Sequence, residues 1–224
     1  MKPKTEQKTK DLKIFMNYRR LKEIKRQNNF PIIHKVDVAQ HSYYVAMMAM
    51  IMADEYNTWV EEQNAIAYDE LSDNVYLLVK TEIVIRKAML HDLEESFTSD
   101  IPWNIKHSSP EFNKVINEVI DQKVRNAHKG CYTMDMYREI CSKCKDGLEG
   151  RFVEFADTLE LGLHCWEEMA SGNRFLKPML EKCLNLIESY QDYAILREAS
   201  PFFDSLCELL HSRTEVAEEL IDIC

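Results

Sequence analysis

The sequence predicts an all-α fold, and three observations carry that prediction. Only 5 glycines and 6 prolines punctuate 224 residues, too few breakers for a turn-rich β architecture. Hydrophobic residues are 46% and charged residues 29% of the chain, which places it among globular rather than disordered proteins. Along most of its length the apolar residues recur at helical rather than alternating intervals. The length fits one domain with its own core.

In chain order, residues 1–10 read as a flexible basic tail and 11–224 as a single helical domain. Leu12, Ile14, Phe15, Leu21 and Ile24 set a first helix over 11–26. Pro31 breaks the pattern, so 27–37 is a loop. Val45, Met48, Ala49 and Met52 give the inner face of a helix over 38–56, and 64–74 reads as a connection. A helix over 75–92 follows from Tyr76, Leu77, Val79, Ile83, Val84, Ala88 and Leu90. Thr98-Ser99-Asp100-Ile101-Pro102 is a loop, because proline disfavours helix in the residue before it. Pro110 opens a helix over 111–126, and a weaker one covers 135–145. Phe152, Phe155, Ala156, Leu159, Leu163 and Trp166 lie in a long helix over 148–168. Helices over 173–191, with Pro178 near the start, and over 202–223 extend the domain. Met47, Met48, Met50 and Met52 read as core filler, and the pairs Tyr43-Tyr44 and Phe202-Phe203 as packing residues.

The formal charge of −10 repels long phosphate backbones and argues against a nucleic-acid polymer as partner. A small phosphate ester remains open, since a bound cation reverses the local field. No window of 18 apolar residues occurs, so no membrane span is expected. The seven cysteines are scattered, with no secretory segment ahead of them, and read as free thiols in a reducing cytoplasm. Cys141-Ser142-Lys143-Cys144 lacks the second pair that a zinc ribbon needs, which leaves two ordinary thiols.

Four residues far apart in sequence fit one metal ion: His41, the adjacent pair His91-Asp92, and Asp157. Taken singly, each has an ordinary explanation. Asp157 could be a salt-bridged acid at the core edge, His41 a satisfied core histidine, and His91 a cation at a helix C-terminus. Together they lie on predicted helices, in apolar surroundings, and helices in a bundle can aim such side chains inward. A shell of two imidazoles and two carboxylates suits a divalent transition metal better than calcium. Four protein ligands leave room for water and a phosphate oxygen, which points to metal-assisted hydrolysis.

The order His…His-Asp…Asp resembles the HD-domain metal-dependent phosphohydrolase superfamily. The closer likeness is to its bacterial 5′-deoxynucleotidase branch. It rests on Val38-Ala39-Gln40-His41-Ser42, on His91-Asp92-Leu93-Glu94-Glu95 with Asp100-Ile101-Pro102 and Lys106, and on Ala156-Asp157-Thr158-Leu159. The resemblance implies an HD-type helical bundle with a divalent-metal site in its core, usually homodimeric. It implies removal of phosphate from deoxynucleoside 5′-monophosphates with one divalent transition metal, cobalt, manganese or zinc. Carried over by position, His41, His91, Asp92 and Asp157 would be the metal ligands, and Glu95 the acid beside the metal. Asp100 would lie near the sugar and the leaving oxygen, with Arg26 and Lys106 as phosphate contacts. Arg19 and Arg20 are rivals to Arg26 for that role. Gln40, Gln27 and Ser99 depart from the glutamate, tryptophan and glycine usual in the branch. Gln40 would remove a charge from beside the first histidine. Trp103 stacks on a base or covers the core.

The transition state of phosphoryl transfer is loose, so catalysis is positioning and charge stabilisation. Glu95 or Asp100 would supply a proton to the leaving oxygen if burial raises its pKa. Two other readings compete: an HD-domain deoxynucleoside triphosphohydrolase, and a non-catalytic HD module that senses nucleotides.

Overall fold

The computed structural model of the chain describes residues 4–27, 29–69, 75–101 and 109–215. Among them the elements are α1 (Lys4–Tyr18), a 3₁₀ turn (Arg19–Glu23), α2 (Val38–Asp69), α3 (Thr81–Leu90) and α4 (Glu95–Thr98). Then come α5 (Pro110–His128), α6 (Tyr132–Ser142), α7 (Gly147–Ala170), a second 3₁₀ turn (Arg174–Leu176), α8 (Lys177–Ser189), α9 (Tyr193–Ala199) and α10 (Pro201–Glu215). The fold is all-α, with one isolated β-bridge, Lys25 to Asp37, among the described residues. No helix among them is long and apolar enough to cross a membrane.

Helix α7 is the axis of the bundle and packs on α2, α3, α8 and α10. Its face of Phe152, Phe155, Ala156 and Leu159 meets Val45, Ala49 and Met52 of α2, Val84 and Ala88 of α3, Leu180 of α8 and Phe203 of α10, all buried in one core. Met47, by contrast, is exposed, as are Tyr43 and Tyr44, which touch each other at the surface rather than packing inside.

Several elements differ from the sequence reading. Helix α1 starts at Lys4, inside the predicted tail, and gives way at Arg19 to a 3₁₀ turn. Helix α2 runs on to Asp69, through half of the predicted connection. The predicted helix over 75–92 shortens to Thr81–Leu90. Residues 75–80 instead form an extended strap pinned to α2 by two asparagines. Asn64 accepts from the Tyr76 N–H at 2.9 Å and donates to its carbonyl at 3.0 Å. Asn57 does the same for Val79, at 2.9 and 3.0 Å. Seven residues of helix rise about 10.5 Å, and three extended residues span about 10 Å, so the two spacings match. These side chains take the place of a partner strand. Helix α9 was not foreseen, and the end of the predicted helix over 202–223 lies outside the described residues. The α5 start at Pro110 fits the reading, with Ser109 Oγ accepting from Phe112 N–H at 3.1 Å as its cap.

Asn57→Ala removes both partners of the buried Val79 backbone and is expected to lower the unfolding free energy by about 1–3 kcal/mol. Denaturant titration checks this. The exposed neighbour Thr58→Ala should stay within about 0.5 kcal/mol of the parent.

Candidate metal centre and cleft

The first turn of α2 carries His41, buried completely. His91 and Asp92 follow α3 in a tight turn rather than on the helix, closed by Leu93 N–H to Leu90 O at 3.1 Å and Glu95 N–H to Asp92 O at 3.0 Å. Asp157 projects from the middle of α7. The four side chains meet. His41 Nε2 lies 3.2 Å from His91 Nε2, 3.2 Å from Asp157 Oδ1 and 3.6 Å from Asp92 Oδ2. His91 Nε2 lies 3.2 Å from Asp92 Oδ2 and 3.8 Å from Asp157 Oδ1.

Both rings have their other nitrogen engaged. His41 Nδ1 donates to Glu160 Oε2, and His91 Nδ1 donates to the Ala88 carbonyl at 2.6 Å. Neither acceptor carries a proton, so each Nδ1 does. When neutral, such rings turn unprotonated Nε2 atoms toward each other and toward two carboxylates. Such a cluster requires positive charge at its centre. Donors around a divalent ion with bonds of about 2.1 Å stand about 3.0–3.4 Å apart, close to the observed spacings. His41, His91 and Asp157 form a group that could hold a metal ion, and Asp92 Oδ2 lies beside both histidines of it. In the metal-free protein a proton takes the place of the ion. Burial opposes charge on His91, but the charge and hydrogen bond of Asp92 outweigh it and push the ring up to about 9.

The carboxylates are held ionised against the cost of burial. His91 and Arg26 keep Asp92 below the usual carboxylate range, and Lys145 and His41 do so for Asp157. Arg26 Nη1 donates to Asp92 Oδ2 at 3.0 Å, and Lys145 Nζ to Asp157 Oδ2 at 2.7 Å. Arg26 is aimed by its backbone: Arg26 N–H bonds Val36 O and Val38 N–H bonds Ile24 O, both at 3.0 Å, on either side of the Lys25–Asp37 bridge. Fully buried Glu168 secures the rest of that loop by accepting from Ile33 N–H at 2.9 Å and Asn173 Nδ2 at 2.6 Å.

A cleft of about 780 Å³ opens beside the cluster, lined in part by Arg26, Glu95, Asp100, Lys145, Phe30, Leu161 and Met179. Asp100 Oδ2 accepts the Gln27 N–H at 2.9 Å, a backbone bond that does not use the Gln27 side chain. Ser99 stands at φ +67, ψ 170, a region nearly reserved for glycine. Lys106 and Trp103 lie outside the described residues. Arg19 and Arg20 are absent from the cleft lining, which favours Arg26. Gln40 is exposed; the acid against His41 is Glu160 instead, so the carboxylate thought lost with Gln40 comes from α7. Glu160 and Lys145 are the two site residues that sequence reasoning missed. Of the C-x-x-C thiols, Cys141 is pushed up by burial and by Glu94, and Cys144 by burial to about 11, so both stay protonated and poor as metal ligands.

An all-helical bundle that gathers a histidine, a His-Asp pair and a distant aspartate at one buried point has the architecture of the HD-domain phosphohydrolases. A solved HD-domain phosphohydrolase from Listeria innocua superposes with a TM-score of 0.67 at 20% identity, over 89% of this chain and 92% of the other. The cyanophage S-2L HD phosphohydrolase DatZ, solved with dA and one catalytic Zn²⁺ ion, does so with a TM-score of 0.54 at 15% identity, over 89% and 93%. In sequence, the chain is 28% identical to the 5′-deoxynucleotidase YfbR of Salmonella arizonae, over 84% of this chain and 92% of that protein. The family model of the YfbR-like 5′-deoxynucleotidases matches residues 13–209, and the chain belongs to that family.

Two outcomes follow. Because metal must displace the His91 proton, affinity for Mn²⁺ should rise roughly tenfold per pH unit from neutrality up to the His91 value of about 9 and then level off. Calorimetric titration across that range measures it; a flat profile would contradict the assignment. Glu160→Gln keeps the shape but removes the charge behind His41, and should weaken metal binding about 10–100-fold.

Proposed function

We propose that the chain is a metal-dependent phosphomonoesterase that removes phosphate from (deoxy)nucleoside 5′-monophosphates. The observation that carries this is the four-donor cluster, whose only stable filling is positive charge, at the wall of a cleft of nucleotide size. Family membership and the named activity of the Salmonella relative support it. In this reading His41, His91, Asp92 and Asp157 hold one divalent transition metal, cobalt, manganese or zinc. A bound ion of this kind supplies Lewis-acid activation of water and of the phosphoryl group.

The chain's own residues do the rest. Arg26 offers a planar fork to phosphate oxygens and is held beside Asp92 in the right charge state. Glu95 and Asp100 line the cleft within one loop of Asp92 and are the candidates to pass a proton to the leaving 5′-oxygen. The Gln27 N–H fixes one Asp100 oxygen at the cleft wall.

The triphosphohydrolase reading asks for more positive charge than the monophosphatase one. Of the cleft cations Arg26, Arg138, Lys145 and Lys182, the first three are each matched with an acid, Asp92, Asp121 and Asp157. One phosphate can be shared among such groups; three phosphates would add charge for the same few cations to balance. A homodimer is part of the same proposal, supported by exposed Leu12, Phe15 and Met16 on α1.

Incubation with dAMP and with dATP, each with Mn²⁺, Co²⁺ and Zn²⁺, is the test. Phosphate released from dAMP is expected. Tripolyphosphate from dATP, with dAMP untouched, would favour the alternative, and metal and nucleotide binding without turnover would favour a sensing module. Asp92→Asn should cut turnover at least about 100-fold, since a direct ligand matters no less than its supporting partners.

A further inference from the structure

We propose that Lys145 is the second phosphate-binding cation of this site, partner to Arg26; the inference rests on the phosphomonoesterase reading above. Two positively charged side chains grip the cluster, each on a different carboxylate. Arg26 takes Asp92, and Lys145 takes Asp157 at 2.7 Å. Asp157 divides its oxygens: Oδ1 faces the two histidines, and Oδ2 faces the lysine. The lysine therefore stands against the metal site without occupying it. Its side chain is 45% exposed, where that of Arg26 is 18% exposed, and both line the cleft. An ammonium has three N–H donors, so the bond to Asp157 leaves capacity for a phosphate oxygen. A phosphate dianion entering among Asp92, Asp157 and Glu95 meets repulsion that nearby cations must offset.

The chain builds this placement with care for the backbone. Lys145 lies in the turn between α6 and α7, closed by Asp146 N–H to Lys143 O at 3.1 Å. Gly147 turns the chain at φ +74. Lys87 Nζ donates to the Asp146 carbonyl from α3. Gly150 lets that turn lie directly on α7: a Cβ there would sit 2.3 Å from the Lys145 carbonyl carbon and 2.6 Å from its oxygen. Asp157 is seven residues beyond Gly150, two turns along the same face. The missing side chain at 150 and the carboxylate at 157 thus fix where the lysine starts and where it ends.

The rival explanation is a simple counter-charge for Asp157. Binding of inorganic phosphate to the Co²⁺-loaded protein separates the two without recourse to turnover. Calorimetry on the parent, Lys145→Met, Lys145→Arg and the exposed control Lys143→Met should give phosphate affinity about 10–100-fold weaker in Lys145→Met, the range of one charge-assisted hydrogen bond. The arginine variant should recover most of it, the control should match the parent, and cobalt content should be equal throughout. Phosphate affinity in Lys145→Met within about twofold of the parent overturns the proposal. So does an arginine variant no better than methionine, a parent that binds no phosphate, or cobalt lost from Lys145→Met, which would mark a counter-charge. Failure to hydrolyse dAMP while phosphate binding still depends on Lys145 would instead count against the phosphomonoesterase reading alone.

Discussion

Two imidazoles with their bare nitrogens aimed at two carboxylates make a buried arrangement that needs a cation at its centre. Protonation of His91 is one answer and a divalent ion is the other, and the two compete for the same few cubic ångströms. Ionised acids in a helical core are costly unless compensated. That cost explains why the surrounding sequence is so charged. Arg26 is brought from the loop before α2, Lys145 from the turn before α7, and Glu160 from one turn along α7 behind His41.

The bundle exists to hold these groups in register. Helix α7 presents Asp157 and Glu160 on a face otherwise packed with Phe155, Ala156 and Leu159. Helix α2 offers His41 at its first turn, where the chain enters from the loop bearing Arg26. His41 and Asp157 are therefore fixed by helices packed into the apolar core, and His91 and Asp92 by the hydrogen-bonded turn that follows α3. The same economy shapes the cleft. Asp92 and Asp157, the acids proposed to hold the metal, also bind Arg26 and Lys145, so in that reading site and substrate are coupled through single carboxylates.

Much of this could be read from the chain. The helical fold follows from apolar periodicity and scarce breakers, and the long helix of Asp157 stands within two residues of its predicted bounds. His41, His91, Asp92 and Asp157 stood out because metal-binding side chains sat in apolar helical surroundings. Glu160 left a signal that went unused: it lies three residues after Asp157 and so beside it on the same face of the helix. Lys145 left none, since a turn has no periodicity, and its approach to Asp157 depends on the turn at Gly147 and on the packing of that turn against Gly150. The strap over 75–80 was misread because its apolar residues look helical. What decides its path is the seven-residue spacing of Asn57 and Asn64 on another element, invisible to a local pattern.

X-ray absorption of the cobalt-loaded protein addresses the metal shell directly. The account predicts two imidazole nitrogens and oxygen neighbours at about 2.0–2.2 Å and no sulfur. A sulfur shell at about 2.3 Å, drawn from Cys141 or Cys144, or fewer than two imidazoles, would contradict it.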